Sequence, residues 1–496
     1  MLLCGWLAGG ANAQQRPNVI IIYADDVGYG DLSCYGATQV QTPHLDALAK
    51  SGIRFTNGHT TSATCTPSRY ALLTGRYPWR KKGTGVLPGN AAMIIPPGSP
   101  TLASLMQQAG YQTALVGKWH LGLGDGSPIN WNTDIRPGPN EVGFHYAFFF
   151  PATADRVPTV FVENRKIIGA DANDPIEVNY QEKIGNEPTG KENPELLKMP
   201  ASHGHNNTIV NGIGRIGWMK GGTRARWTDE EIAYAFTDKA IEFMENNRKK
   251  PFFLCFNLSD IHVPRMPATA FKGKSSMGYR GDAILQMDWS VGKIMDKLRQ
   301  LGLEKNTIVI FSSDNGPVLD DGYADGAVTQ QNGHQPAGPF RGGKYSAFEG
   351  GTRVPWIISW PATIKGGGTS DALISQVDLY ASFAELTGQK MAPGAAPDSH
   401  DVLPAMLGKK AEGRSWVVLQ GGSLSLVQGD WKYISPSKGV KLMKEVNIES
   451  GNDEAPQLYN LRSDKGERQN VAAQHPGKVK AMAAELERLK EADQTR

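Results

Sequence analysis

The chain has 496 residues, 40% of them hydrophobic and 20% charged, with a formal net charge of +3. That length supports more than one domain and a large core. The near-neutral balance, without a long basic run, argues against a nucleic-acid binder, and no stretch beyond the N-terminus is long and apolar enough to span a bilayer.

The chain opens on "MLLCGWLAGGANAQQ", an apolar run ending in Ala11-Asn12-Ala13. This resembles the end of a secretory signal cleaved after Ala13, so residues 1–13 read as a leader remnant. The expected destination is export, to a periplasm or the medium. Cys4 as a lipid anchor fits its neighbours badly. Without the leader, Cys34, Cys65 and Cys255 remain, too few and too odd for a disulfide scaffold.

Four apolar runs then have strand length: "NVIIIYA" (18–24), "TALV" (113–116), "FFLCFNL" (252–258) and "TIVIFSS" (307–313). Uninterrupted apolar runs indicate strands covered on both faces, as in a parallel sheet. Helical spacing lies between them, at 42–52, 101–110, 228–247 and 287–302. The alternation implies an α/β fold: a large, mostly parallel mixed sheet sandwiched by helices. Residues 14–390 form the expected main domain, with 150–227 an irregular insertion near the site. After 390 the chain turns Pro- and Ala-rich. Short strand patterns at 415–420 and 429–435 and a charged amphipathic segment at 476–495 follow. Residues 391–496 therefore read as a smaller C-terminal domain of antiparallel strands and a helix.

Polar residues directly follow the strand runs: Asp25-Asp26, then Lys118 and His120, then Asp260 and His262, then Asp314-Asn315. In open α/β sheets, ligands bind beyond the carboxyl ends of the strands. Each pair alone reads as a solvated turn, but four together point to one site. Asp25, Asp26, Asp314 and Asn315 offer only oxygen donors, which favour calcium or magnesium over zinc or copper. Three crowded carboxylates would otherwise repel one another. Lys118 and His120, two apart, face one side if the segment is extended. A glycine-rich loop at 338–355 carries Lys344.

The stretch "ATCTPSRYALLTGR" (63–76) completes the set. Thr66 suits an N-cap, Pro67 the first helical position and Gly75 the C-terminal stop, giving a helix over 67–74. Cys65 then sits just ahead of the helix's positive end, with Arg69 four residues on. Taken alone, a small buried core cysteine is the better reading. With a divalent metal, two lysines, an arginine and two histidines around it, the chemistry suits a tetrahedral oxyanion ester, sulfate or phosphate.

The segments "CTPSR" (65–69), "LLTGR" (72–76), "GKWHLG" (117–122) and "SSDNGP" (312–317) resemble the formylglycine-dependent sulfatases of the alkaline phosphatase superfamily. The likeness runs from residue 16 to about 472. It leans to the carbohydrate branch that includes N-acetylgalactosamine-6-sulfatase rather than to the lipid and steroid enzymes. The resemblance implies that a formylglycine-generating enzyme converts Cys65 to an aldehyde, reading Pro67 and Arg69 as part of its signal. The hydrated aldehyde would attack sulfur with one hydroxyl and expel sulfate through the other. It further implies that Asp25, Asp26, Asp314 and Asn315 bind calcium, with the modified Cys65 touching it. Arg69 and Lys118 would steady the formylglycine and the sulfate, Lys344 would hold a sulfate oxygen, His120 would act as base and His262 as general acid. Within the irregular insertion, Asp155, Arg156, His203 and His205 are candidates to reach a sugar. The expected substrate is a sulfated carbohydrate. Two rivals stand beside this reading: a phosphonate monoester hydrolase or phosphodiesterase of the same superfamily, and a sulfated-glycan binder without turnover.

Overall fold

Asn18–Ala24 is the middle strand of a sheet, and every one of its residues is buried. A computed structural model describes residues 16–496; the leader expected over 1–13 lies outside the described residues. Thr307–Ser313 flanks this strand on one side and Phe252–Asn257 on the other, both parallel to it. Gln112–Lys118 and Tyr146–Phe150 continue the parallel set. Shorter strands, mostly antiparallel, extend both edges to make a ten-stranded mixed sheet.

Alternate residues of these strands feed two cores. Val19, Ile21, Phe253 and Ile310 point to a layer containing the helices Cys65–Thr74, Leu102–Gln108 and Leu379–Thr387. Ile20, Ile22, Leu254 and Phe311 point to Pro43–Ser51, Ile232–Asn246 and Gly278–Gln300. Both faces being covered is why the strands read as unbroken apolar runs. The last of these helices begins nine residues before the expected 287–302. Its first turns are polar and carry two glycines, so periodicity misses them. Asp282 instead accepts bonds from the backbone N–H groups of Gly273 and Ser275.

The C-terminal region holds a four-stranded antiparallel sheet, Trp416–Gln420, Leu424–Gln428, Trp431–Ile434 and Gln457–Asn460, in that order. Its outer face packs on the helix Pro476–Glu491 through Met482, Leu486 and Leu489. Its inner face packs on Ala347 and Phe348 of the glycine-rich loop. Residues 395–407 pack into the large core, so the change of core falls between there and the first small strand.

A buried charge cluster joins the two units. Lys432 Nζ lies 3.0 Å from Glu349 and 3.2 Å from Glu467, and Arg353 also pairs with Glu349. Lys432, Glu349 and Glu467 are all fully buried. Burial, offset by Lys432 and reinforced by Glu349, pushes the Glu467 carboxyl up to about 7. Removing one partner of such a cluster strands the others without compensation. Lys432→Met is therefore expected to cost about 3–5 kcal/mol in denaturant unfolding. Stability equal to the parent's would contradict a structural role for the cluster.

Candidate active site

All the titratable groups singled out around the nucleophile come from segments that leave the carboxyl edge of the parallel strands. Cys65 is the first residue of its helix, not the residue ahead of it, and Thr64 is the N-cap, in extended conformation. Thr66 lies within the first turn, and its hydroxyl donates to the His120 carbonyl instead of capping. The helix still ends where expected, with Gly75 at φ 61°. Cys65 is buried at the positive end of the helix. Burial pushes its thiol up, against the pull of Lys118 and Lys344.

Cys65 Sγ is 3.3 Å from His120 Nδ1. The other ring nitrogen, Nε2, is 2.9 Å from the Leu87 carbonyl oxygen. A carbonyl only accepts, so Nε2 carries the hydrogen and Nδ1 presents its lone pair to residue 65. Burial, helped by the Lys118 and Arg156 charges, holds His120 well below the usual histidine range. It is a neutral base aimed at the nucleophile. Lys118 and His120 do both reach the site, but not by strand alternation. Gly117 has φ 115° and His120 φ 56°, so the path is bent. A Cβ on Gly117 would sit 1.9 Å from the Asn257 carbonyl oxygen, which leaves only glycine there.

Three cations meet three carboxylates. Lys118 Nζ is 2.7 Å from Asp25, Arg69 is 2.8 Å from Asp314, and Lys344 Nζ is 2.9 Å from Asp26. Arg69 thus reaches past Cys65, and it lies over the Tyr23 ring at 5.1 Å. Asn315 Nδ2 donates to Asp26 Oδ1 at 2.7 Å, and the Asp26 N–H to Asp314 Oδ1 at 3.3 Å. Asp26 is held at φ 60°. Such strained backbone at a non-glycine residue is a mark of functional sites.

These residues fit an oxygen-bound divalent cation. Asp25 Oδ1 and Asn315 Oδ1 are buried with no hydrogen-bond partner. Burial and the Asp25 and Asp26 charges push Asp314 up to about 7. Without a cation the cluster therefore holds a proton near neutrality. A divalent ion adds two positive charges to three cations and three carboxylates that otherwise balance, which suits an anionic ester.

His262 stands opposite. Its Nδ1 bonds the Val263 carbonyl at 2.7 Å, which leaves Nε2 facing the cluster, 4.0 Å from Asp26. Asp25, Asp26 and His262 are also close enough together to hold one ion among the described residues. Burial lowers the His262 pKa, while Asp25 raises it. Asp260, two residues earlier, turns away and bonds Gln286.

The candidates from the irregular insertion divide. Asp155 accepts from Arg156 and lies 2.9 Å from His205 Nε2, and His205 packs on Tyr323. Against burial, the Arg156 and His205 contacts hold the Asp155 carboxyl well below the usual range, and the Arg156 charge helps hold His120 low, so Asp155 and Arg156 lie near the site. His203 stays partly exposed, 3.8 Å from Asp320, and its ring does not join Asp155. Two residues escaped the sequence reading. Asp321 takes Lys344 Nζ at 2.8 Å and the Tyr345 hydroxyl at 3.1 Å, and Tyr345 sits at φ 72°. The acidic doublet Asp320-Asp321 before a glycine was the only signal available for the first.

The model of the Sulfatase family matches residues 17–389. The chain belongs to the sulfatase family. It is a sulfuric ester hydrolase by that membership, and the family generally uses a formylglycine and a divalent metal. This sulfatase is 53% identical to an N-acetylgalactosamine-6-O-sulfatase of Bacteroides thetaiotaomicron, over 96% of this chain and 93% of that one. It is 32% identical to human arylsulfatase H, over 79% of this chain and 73% of the relative. A solved chain described with the metabolism of multiple glycosaminoglycans by Bacteroides thetaiotaomicron superposes with a TM-score of 0.95 at 52% identity. That match covers 96% of this sulfatase and all of the solved chain.

Proposed function

We propose that this sulfatase removes the 6-O-sulfate of an N-acetylgalactosamine residue in a carbohydrate, using a formylglycine made from Cys65 and a calcium ion. One observation carries the chemistry. Residue 65, at a helix N-terminus, has a neutral histidine base at 3.3 Å, beside a buried set of three carboxylates and three cations. The sugar rests on the 53% identity to a relative of that name. The leader-like N-terminus supports export.

Asp25, Asp26, Asp314 and Asn315 would hold the ion, and several protein oxygens in reach favour calcium over magnesium. When bound, the ion would supply Lewis-acid stabilisation of sulfate oxygens beside Lys118 and Lys344. A hydrated formylglycine supplies two hydroxyls on one carbon, one to displace the alcohol and one whose deprotonation releases sulfate. The chain does the rest. Arg69 and Lys118 orient residue 65 and neutralise equatorial charge. Lys344, fixed by Asp321, holds a sulfate oxygen. His262, as an imidazolium that keeps its Nδ1–H on the Val263 carbonyl, would deliver the Nε2 proton to the leaving sugar oxygen and be left neutral. His120 takes a proton at Nδ1, and its Nε2–H stays bound to Leu87. Asp155 and Arg156, with His205 behind them on Asp155, would meet the sugar.

The test is a substrate panel given to the formylglycine-containing enzyme. Turnover of 6-O-sulfated N-acetylgalactosamine is expected to exceed that of the 4-O-sulfated isomer, and aryl sulfate that of aryl phosphodiester. A preference for the phosphodiester would replace this reading with the phosphodiesterase one. Binding of sulfated sugars without turnover would replace it with a lectin-like role.

A further inference from the structure

Gln376, just ahead of the helix Leu379–Thr387, is 1% exposed and ties together the two strands that present the acidic cluster. Its amide is oriented by its partners. Nε2 lies 2.6 Å from the Ser313 carbonyl oxygen, which only accepts, so the nitrogen end donates there. The same nitrogen reaches Ser312 Oγ at 3.0 Å. Oε1 is thereby turned to the Tyr23 hydroxyl, which donates to it. One side chain thus links Tyr23, two residues before Asp25, to Ser312 and Ser313, directly before Asp314 and Asn315. The segment that carries Gln376 is itself anchored. Asp378 accepts from the Ser375 N–H at 3.2 Å and pairs with Arg414 at 2.6 Å, with both partners buried.

The Tyr23 end of this link reaches Arg69. Arg69 Nε donates to Asp314 Oδ2 at 3.0 Å, and Nη2 lies 2.8 Å from the same oxygen. Two contacts that converge on one oxygen fix the distance of the guanidinium but let its plane swing. The bond from Nη1 to the Lys118 carbonyl is long, at 3.4 Å. The Tyr23 ring, 5.1 Å from the guanidinium carbon, supplies the missing constraint, because a guanidinium is attracted to an aromatic face. Tyr23 is 1% exposed, so its hydroxyl needs a partner inside the protein, and Gln376 is that partner.

We propose that Gln376 and Tyr23 are positioning residues for sulfate ester hydrolysis. Gln376 Oε1 pins the Tyr23 ring, and the ring sets the plane of Arg69 beside residue 65. Gln376 Nε2 holds the strand end that carries Asp314 and Asn315. The inference rests on the sulfatase reading above and adds to it two residues that have no role there.

The experiment compares the full-length, formylglycine-containing parent with Tyr23→Phe, Gln376→Met and the double variant. It measures kcat and KM for nitrophenyl sulfate at saturating calcium, calcium affinity by calorimetry, and the unfolding temperature. Tyr23→Phe keeps the ring and removes only the hydroxyl. It should lower kcat by about two- to tenfold, the worth of one hydrogen bond, with KM and calcium affinity within about twofold of the parent. Gln376→Met should lower kcat to a similar extent and also weaken calcium binding by about tenfold, as loss of a group supporting metal ligands does. The double variant should match Gln376→Met in kcat, because both changes break the same link. Tyr23→Phe leaves the packing in place, so it tests the link even where Gln376→Met unfolds. Parental kcat in Tyr23→Phe would overturn the proposal, as would kcat losses that multiply in the double variant. Calcium affinity unchanged in a folded Gln376→Met would overturn the part assigned to Nε2. No turnover of any sulfate ester by the parent would defeat the sulfatase reading, and this inference with it.

Discussion

Stripping the divalent ion with a chelator is expected to abolish turnover, and calcium to restore it. The basis is the charge balance of the site. Asp25, Asp26 and Asp314 are fully buried, and Asp25 and Asn315 each keep an unpartnered oxygen. Burial and neighbouring carboxylates push Asp314 up to about 7. The ion must displace that proton, so calcium affinity should rise with pH through about 7 and fall below it. Asp314→Ala removes one ligand and the counter-charge of Arg69, and should lower kcat by at least about 10²–10³. Calorimetric titration with calcium at two pH values, together with aryl sulfate turnover, checks both parts. Full activity in protein shown by elemental analysis to be ion-free would contradict the metal's role.

His262→Ala should cost far more on a sugar sulfate than on nitrophenyl sulfate. A nitrophenolate leaves without help, whereas a sugar alkoxide needs a proton. Loss of a general acid is worth about 10²–10⁴. The geometry separates the two histidines. His120 Nδ1 faces Cys65 Sγ, whereas His262 Nε2 faces the cluster from another strand end, near Asp26. His120→Ala should therefore impair both substrates, and sulfate should stay on residue 65, visible as added peptide mass. Equal losses on both substrates for His262→Ala would reject it as the acid.

The parallel core was legible because its strands are buried on both faces. "NVIIIYA" and "TIVIFSS" match their strands residue for residue. Their carboxyl ends located Asp25, Asp26, Asp314 and Asn315 without any knowledge of side-chain contacts. What stayed hidden depends on backbone conformations and distant partners. Nothing in "GKWHLG" shows that His120 takes a left-handed φ and is pinned by Leu87 and Thr66. Asp321 gains its meaning only when the glycine-rich loop brings Lys344 and Tyr345 to it across the fold. Thr66 misled because its hydroxyl is taken by the His120 carbonyl, while Thr64 holds the extended N-cap backbone without a side-chain capping bond. Asp260 misled because it shares a turn with His262 yet points to a helix behind the sheet.

The central claim is that residue 65 works as an aldehyde, not as a thiol. Protein made with and without a formylglycine-generating enzyme gives graded populations for peptide mass spectrometry across Cys65. The aldehyde form should be lighter than the thiol by about 18 Da, and kcat for sulfate ester hydrolysis should rise in proportion to its fraction. Full sulfatase activity in a preparation where residue 65 is wholly unmodified cysteine would contradict the account.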